Sequence, residues 1–449
     1  MKVLLARPAA PNKLSFTGIL DNEPLELEYL HTALKSNGYD DYIFDAMVEK
    51  TSFKAVLERE KPDVAAITGY ISQENQMKRF AQEAKAFNPN IVTIIGGVHA
   101  QLNYERLYTE HVDYIARSEC LDSFIELINY SELKTGELEK INGLCYKHGE
   151  NYTVNELVPI DINTLPIPDR SYFNEHKNNF RYLDLTPIAT IKTSFSCPYD
   201  CNFCYCTLLG GGKYNVRALE LVIEEIEGID CENIQIADDD FLVDKERILK
   251  FIEMIKLRNI KKTFICYTRA DFAAENPEII EMLAGIGFKY FLIGLEAVND
   301  EALASYNKKT TDEINRRCVA NIHRTKGHCV GLFMVGIDAT KKDFEDIVDW
   351  VRDTGMKYVT VSIFTPIPGT KLYEDNKHLI TSKRIEDWDF LHLVMEPVKL
   401  SKFGYYLAYY KMFMKLYDIA KETGIYDFMD LKFYRKMLGN YLKRKMIGI

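Results

Sequence analysis

The sequence contains no apolar run of the roughly 20 residues that a membrane-spanning helix needs. The first residues, MKVLLARPAAPNK, have too short an apolar core for a secretion signal, and their alternation favours a first strand. Positive charge is not in excess, because the formal net charge is -10, and this argues against a general nucleic-acid binder. We therefore expect a cytoplasmic protein with no transmembrane segment and no nucleic-acid partner.

Internal repeats and low-complexity tracts are also missing, so a solenoid or a disordered array is not expected. Cysteine is sparse outside one segment: the chain of 449 residues has 10 cysteines, and only residues 197–206 are rich in them. In a cytoplasmic protein, such clustering suggests metal or redox chemistry before disulfides. The remaining cysteines are interpreted as small buried hydrophobic residues: Cys120, Cys145, Cys231, Cys266, Cys318 and Cys329.

Residues 1–130 alternate short apolar runs with helical patterns. The predicted strands are 3–6, 42–45, 63–68, 91–95 and 112–116. This alternation predicts a Rossmann-like parallel sheet with helices on both faces. Ligands of such sheets bind beyond the carboxyl ends of the strands, where the loops 69–73 and 96–99 lie.

Residues 131–187 are less regular and contain a proline-rich stretch, so they are predicted to form a linker. A second alternating series covers 188–375, and residues 376–449 become helical. The predicted strands of the series 188–375 are 189–195, 233–237, 263–267, 290–294, 330–335 and 358–363. Six βα units of this kind predict a partial (β/α)6 TIM-type barrel with its active groups at the carboxyl ends of the strands.

The densest chemical signal is Cys197-Pro-Tyr-Asp-Cys201-Asn-Phe-Cys204, directly after the first barrel strand. Three thiolates at this spacing can hold three irons of a cubane and leave the fourth iron open. Zinc is the competing interpretation, and Cys206 could supply its fourth ligand. The absence of a second CxxC or a HxxxH partner and the position at a strand end favour the catalytic cofactor.

This segment resembles the motif of the radical S-adenosylmethionine superfamily, which has an aromatic residue just before the last cysteine, here Phe203. The resemblance implies a 4Fe-4S cluster on the three cysteines with S-adenosylmethionine beside it. It also implies that Asp238, Asp239 and Asp240 meet the methionine amino group. Thr268, Arg269 and Glu296 are expected to contact the ribose and the carboxylate, although Arg269 and Glu296 could instead form structural salt bridges.

The first domain and the barrel together resemble the cobalamin-binding group of that superfamily. The segments that carry this resemblance are 23–30, 96–100, 165–170 and 366–373. The resemblance implies cobalamin, with contacts expected from Gly69, Tyr70, Gly96, Gly97 and His99. The Asp-x-His-x-x-Gly motif of many cobalamin proteins is absent, because Gly97 stands where the aspartate is required. Arg117-Ser118-Glu119-Cys120 also replaces a glycine-rich turn that is common in the group.

The function implied is an anaerobic, cobalamin-dependent methyltransferase that acts on an unactivated carbon through a 5′-deoxyadenosyl radical. A radical rearrangement, cyclisation or oxidation without methyl transfer is the alternative, and a cobalamin- or metal-binding regulator is the non-enzymatic one. An electron donor such as flavodoxin or ferredoxin is expected. The substrate, whether small molecule, lipid or peptide, is left open, as is the role of the basic and aromatic end of the chain, which could touch an anionic lipid or peptide.

Overall fold

The computed structural model describes residues 1–12, 20–149, 151–423 and 439. The predicted basic and aromatic carboxyl-terminal segments, 432–436 and 443–445, lie outside these residues. Among the described residues, no helix has the length and apolar character needed to cross a membrane.

The first domain is built on a seven-stranded sheet in the order β3-β1-β4-β5-β6-β7-β8. Its strands are β1 (Lys2–Arg7), β3 (Asp40–Asp45), β4 (Val64–Thr68), β5 (Val92–Gly96), β6 (Tyr114–Ala116), β7 (Leu144–His148) and β8 (Asn151–Val154), while β2 (Leu20–Asp21) lies outside the sheet. Its helices are α1 (Leu25–Ser36), α2 (Phe53–Glu60), α3 (Glu74–Phe87), α4 (Val98–Asn103) and α5 (Leu121–Leu133). The first five strands of the order are parallel, as predicted.

Both faces of this sheet are covered, which explains why its strands are continuous apolar runs and not alternating ones. In β1, Leu4 and Ala6 join a core on one face, whereas Val3 and Leu5 join the core on the other. The prediction that residues 131–187 form only a linker was wrong at one point. β7 and β8 add an antiparallel hairpin to the sheet edge, and a short hairpin of this kind gives little periodic signal.

The second domain is an open barrel of six parallel strands in sequential order, as predicted. The strands are β10 (Ile188–Ile191), β13 (Asn233–Ile236), β14 (Thr263–Arg269), β15 (Phe288–Glu296), β16 (His328–Val335) and β17 (Tyr358–Ile363), with a hairpin of β11 (Ser194–Phe195) and β12 (Asn215–Val216) after β10. The helices are α7 (Leu219–Gly228), α8 (Lys245–Leu257), α9 (Ala270–Glu275), α10 (Pro277–Gly285), α11 (Asp300–Ser305), α12 (Asp312–His323) and α13 (Lys341–Asp353).

Segments outside the sheet complete the barrel. The linker contributes α6 (Ser171–His176) and β9 (Arg181–Tyr182), which pairs with β2, and Tyr182 and Leu183 pack inside the barrel. After β17 come α14 (Lys371–Asn376) and α15 (Lys402–Ala420). Tyr405 of α15 donates to the Val335 carbonyl over 3.1 Å, so this helix fixes the end of β16.

Five charged side chains join the two domains, four of them buried and Arg170 9% exposed, and we call them the interdomain charge cluster: Glu23, Glu28, Arg170, Arg217 and Glu225. Arg170, in the linker, meets Glu23 over 2.8 Å and Glu28 over 3.4 Å on the first-domain side. On the barrel side it meets Glu225 over 2.6 Å, and Glu225 also binds Arg217 over 2.6 Å.

The charges of this cluster balance only when one carboxyl is protonated, since three acidic groups face two guanidinium groups. Burial, together with the neighbouring Glu23 carboxylate, raises the pKa of Glu28 to about 10. Glu28 therefore holds a proton at neutral pH, and the remaining two carboxylates match Arg170 and Arg217. Segments 23–30 and 165–170, which carry part of the family resemblance, supply three of the five members of the interdomain charge cluster.

We predict that Arg170→Met lowers the stability of the protein by about 3–5 kcal/mol, because it leaves buried carboxylates without a partner. The midpoint of urea unfolding, followed by circular dichroism, measures the change. Lys250→Met removes an exposed pair with Glu220 and is the matched control, with an expected effect within about 1 kcal/mol.

Glu28→Gln tests the proton assignment at the same time. An amide imitates a protonated carboxyl, so the urea midpoint at pH 7 should stay close to that of the unmodified protein. A loss as large as that of Arg170→Met would contradict the charge balance.

Candidate functional site

The three motif cysteines lie on the loop that follows β10 and β11, at the carboxyl end of the barrel. All three thiols are free and half-buried, and Cys206, two residues after Cys204, is half-buried as well. Ser196, just before Cys197, has a φ of +63°, so the chain turns sharply out of β11 into the loop. The turn presents the cysteines to the space above the barrel.

The loop is held by the barrel elements around it. The Asn202 amide donates to the Tyr306 carbonyl over 3.1 Å, and the Asn202 carbonyl accepts from the Leu372 amide over 3.0 Å. The predicted aromatic residue Phe203 packs edge-on against the Tyr306 ring, with centroids 5.8 Å apart. The cysteine positions are therefore fixed by backbone hydrogen bonds and packing.

Within the described residues, no three Cys, His, Asp or Glu side chains surround one point as the ligands of a single metal ion would. A cubane does not require such convergence, because each of its cysteine ligands binds a separate iron. The donor set, three thiols on one anchored loop, fits a 4Fe-4S cluster with one iron left for a ligand that is not cysteine.

The acidic residues after β13 have different environments. Asp238 is fully engaged: it accepts from the Thr193 amide over 2.6 Å, from the Thr193 hydroxyl over 2.5 Å and from the Ser194 amide over 3.0 Å. The Asp238 carboxylate thereby fixes the start of the cysteine loop, and its contact with the amino group of a cofactor stays a prediction.

Three buried oxygen atoms have no hydrogen-bond partner among the described residues. They are Asp239 Oδ2, Asp240 Oδ2 and the hydroxyl oxygen of Thr268. Burial raises the pKa of Asp240 to about 7. Unpartnered buried acceptors are costly unless a ligand satisfies them. These three groups, at the ends of two neighbouring strands, fit a cationic ligand such as the ammonium of an amino acid.

Arg269, at the end of β14, has a partner within the protein. Its Nη2 lies 2.8 Å from Asp271 Oδ2, and its Nε lies 3.1 Å from both oxygens of the same carboxylate. Arg269 thus forms a salt bridge within the protein, which is one of its two predicted alternatives, and its pairing with a cofactor carboxylate stays a prediction.

Glu296, at the end of β15, also has a protein partner, because its Oε1 lies 2.8 Å from Lys308 Nζ. Lys308 is buried, and sequence reasoning missed it, since it stands in a loop with no periodic signal. Glu296 has a φ of +61°, a left-handed conformation that is uncommon outside glycine and clusters at functional sites. A Cβ on Gly294 would lie 2.6 Å from Glu296 Oε1 and 2.7 Å from Lys308 Nζ, so this glycine makes room for the pair.

A cavity of about 670 Å³ lies between the two domains. The first domain lines it with Arg7 and with the loops after β4 and β5, including the predicted residues Tyr70 and His99. The second domain lines it with Tyr205, which follows the last motif cysteine, and with Trp388. The cavity thus joins the carboxyl edge of the first sheet to the cysteine loop.

Tyr70 and His99 behave differently within this cavity wall. The Tyr70 side chain is 57% exposed, although it belongs to a loop between two buried elements. His99 is buried, and its ring nitrogens lie 3.0 Å from Glu74 Oε2 and 3.4 Å from Asn103 Nδ2. His99 therefore makes hydrogen bonds within the protein, whereas Tyr70 offers an exposed aromatic surface.

The three predicted glycines support the loops and are not among the residues that line the cavity. Gly97 has a φ of +88°, and a Cβ there would lie 2.3 Å from Thr68 Oγ1. A Cβ on Gly69 would lie 2.9 Å from Met77 Sδ, while one on Gly96 would make ordinary contacts with Ala116. Close packing thus requires glycine at positions 69 and 97, and the cobalamin contacts of all three glycines stay a prediction.

Lys192 is a further residue that sequence reasoning missed. It follows β10 directly, is half-buried, and its ammonium lies 5.2 Å from the centre of the Phe195 ring. Burial lowers the pKa of Lys192, but the negative charges of Asp239, Asp238 and Glu119 outweigh burial, so the pKa is raised. Glu119 belongs to the first domain, so Lys192 places a positive charge where the two domains meet.

Two family models match the chain, and together they cover more than half of it. The B12 binding domain model matches residues 18–128, and the radical SAM superfamily model matches residues 191–351. The chain thus carries a radical S-adenosylmethionine domain and, amino-terminal to it, a B12-binding domain. The family resemblance seen in the sequence is thereby confirmed.

Among curated relatives, the chain is 26% identical to the hopanoid C-3 methylase of Methylococcus capsulatus, over 97% of this chain and 83% of that one. It is 24% identical to the anaerobic magnesium-protoporphyrin IX monomethyl ester cyclase of Cereibacter sphaeroides, over 84% and 64%. Among solved structures, the cobalamin-dependent S-adenosylmethionine radical enzyme OxsB with aqua-cobalamin bound superposes with a TM-score of 0.75 at 16% identity, covering 98% of this chain and 72% of that one.

We predict that Gly294→Ala destabilises this radical S-adenosylmethionine protein by about 1–3 kcal/mol, because the new methyl group displaces the Glu296–Lys308 pair from a packed site. The melting temperature measures the effect. Gly228→Ala is the matched control, since a Cβ at Gly228 meets nothing within 4 Å and the residue ends a helix. Equal melting temperatures for the two variants would contradict the prediction.

Proposed function

We propose that the protein is a cobalamin-dependent radical S-adenosylmethionine methyltransferase that acts on an unactivated carbon. The observation that carries this proposal is the interdomain cavity, which has Tyr70 of the B12-binding domain on one wall and Tyr205 of the cysteine loop on another. A methyl donor and a radical source held on the two sides of one cavity can reach the same substrate carbon.

Cys197, Cys201 and Cys204 hold the 4Fe-4S cluster in this proposal. Asp239, Asp240 and Thr268 receive the methionine ammonium, since these residues offer the unpartnered buried oxygens. When bound, the cluster supplies the electron that cleaves S-adenosylmethionine, and cobalamin supplies the methyl group. The protein's own residues orient these groups and keep water from them.

Phe203 and Glu296 complete the S-adenosylmethionine site. Phe203 is fixed by Tyr306 and borders the last cysteine, and the Glu296–Lys308 pair occupies the end of the next strand. Tyr70 would contact the bound cobalamin from the cavity wall, and His99 would not bind its cobalt, because the His99 nitrogens are engaged with Glu74 and Asn103.

The cavity wall suits a substrate with both apolar and polar parts. Trp388, Phe390 and Ile367 give it aromatic and aliphatic surface, and Asn12 and Asn179 give it amides. Such a wall takes a small molecule, a lipid or a peptide side chain. We place the protein in an anaerobic cytoplasm with flavodoxin or ferredoxin as its electron donor.

A radical cyclisation or oxidation without methyl transfer is the second candidate. The observation in its favour is the similarity to the cyclase of Cereibacter sphaeroides, whose 24% identity is close to the 26% of the methylase. Both candidates use the same cysteine loop, so they differ in the fate of the substrate radical.

Anaerobic purification from cells supplied with cobalamin tests the proposal. We expect about four irons and one cobalt per chain, and loss of the iron in Cys201→Ala. Cys206→Ala is the matched control, because Cys206 lies beside the motif but outside it, and it should keep its iron. Zinc in place of iron, lost in both variants, would overturn the proposal.

The products distinguish the two candidate functions. Methyl transfer forms S-adenosylhomocysteine together with 5′-deoxyadenosine, whereas cyclisation or oxidation forms 5′-deoxyadenosine without S-adenosylhomocysteine. Chromatography of the reaction mixture with the iron- and cobalt-containing protein measures both. Iron without cobalt, with no S-adenosylhomocysteine, would leave the second candidate.

We also predict that the affinity for S-adenosylmethionine rises about fivefold between pH 6 and pH 7, as the fraction of ionised Asp240 rises around its pKa of about 7. The reason is that the bound ammonium favours the carboxylate form. Equilibrium dialysis of the cluster-containing protein measures the affinity. Asp240→Asn should be weaker and lose the slope, whereas Asp230→Asn, at an exposed position, should keep it. The same slope in Asp240→Asn would contradict this assignment.

A further inference from the structure

Arg269 makes one contact that its pairing with Asp271 does not explain. Its Nη1 lies 3.7 Å from the sulfur of Cys201, within the range of an N–H to sulfur hydrogen bond. The side chain is only 6% exposed, so this contact is shielded from water. The guanidinium therefore places a buried positive charge beside a cysteine of the motif.

The orientation of Arg269 is fixed from several directions. Asp271 holds Nε and Nη2, the Lys308 carbonyl accepts from Nη2 over 2.5 Å, and the Tyr199 ring lies under the guanidinium carbon at 4.1 Å. Nη1 is the part of the planar fork left to point at Cys201. A contact held this way does not depend on a flexible side chain finding its geometry.

We propose that Arg269 sets the reduction potential of the 4Fe-4S cluster, by donating to Cys201 and by placing its charge next to the cluster, and that Asp271 offsets part of that charge. This inference rests on the proposed function, because it requires the cluster. Reduction adds one electron, and so one negative charge, to the cluster. A nearby buried positive charge stabilises the reduced state, and hydrogen bonds to cluster sulfurs act in the same direction.

Burial is what gives this charge its effect. Salt and water screen exposed charges within a short distance, whereas a charge held in the interior acts with a lower effective dielectric constant. Lys308 and Glu296 form a second pair of this kind. The buried Lys308 ammonium acts electrostatically on the Cys201 thiol and is paired with the Glu296 carboxylate over 2.8 Å. The cluster thus has two cations beside it, and each is partly neutralised.

The test is a potentiometric titration of the anaerobically purified, cobalamin- and iron-containing protein, without S-adenosylmethionine. Dithionite supplies the electron, and electron paramagnetic resonance follows the reduced cluster. Arg269→Gln should shift the potential to more negative values, and Asp271→Asn should shift it to more positive values. A structural role alone would not produce shifts of opposite sign.

Arg316→Gln is the matched control. Arg316 binds Asp312 over 2.8 Å and lies 5.2 Å from the Trp350 ring, so it has a carboxylate and an aromatic partner like those of Arg269. It lies on α12, and the potential of this variant should equal that of the unmodified protein. Iron analysis accompanies every titration.

The outcomes separate this inference from the proposed function. An unchanged potential in Arg269→Gln with its four irons would overturn the inference, and loss of S-adenosylmethionine affinity alone would return Arg269 to the carboxylate role predicted from sequence. If Arg269→Gln loses its iron, the sign of the shift in Asp271→Asn decides: a positive shift supports the inference and no shift overturns it. Absence of iron from the unmodified protein would instead remove the proposed function.

Discussion

A guanidinium can be buried between two domains only where carboxylates reach it from both sides. Arg170 satisfies this condition, with Glu23 on the first-domain side and Glu225 on the barrel side. A shift of either domain by a few ångströms would leave a charge in the interior without a partner, at a cost larger than most single contacts in the protein. This contact therefore fixes how the two sheets are placed.

The site depends on that placement. The cavity has walls from both domains, and neither the loops of the first sheet nor the cysteine loop encloses it alone. The charges of Glu119 and Lys192 attract each other across the same boundary, and Gly210, just beyond the cysteine loop, donates its amide hydrogen to Gln101 of the first domain over 3.1 Å. The chemistry of the barrel and the binding surface of the first domain are held together by these contacts.

The sequence allowed the strands, their parallel order and the cysteine loop to be predicted, because each has a local signal: buried parallel strands are continuous apolar runs, and the motif spacing is compact. It did not allow the partners of charged residues to be predicted. Asp238, Asp239 and Asp240 are adjacent and look alike in sequence, yet one is engaged by Thr193 and Ser194 while the others keep a free oxygen.

Partners distant in sequence account for the other differences. Glu296 binds Lys308, 12 residues away, and Arg269 reaches Cys201, 68 residues away. The hairpin of β7 and β8 has an alternating pattern too short to separate from a linker. Such features follow from tertiary packing, which a single sequence records only as isolated polar residues.

In the part of the chain that the structure describes, the six-stranded barrel is open, because β10 and β17 lie at opposite edges of the sheet and no strand joins them. The wall facing the first domain is completed by irregular segments, among them the one that carries Trp388 and Phe390. Irregular segments tolerate insertions and substitutions better than a strand whose register is fixed on both sides. Substrate choice can therefore diverge in this architecture by exchanging the closing segment, while the strands, the cluster loop and their spacing stay as they are.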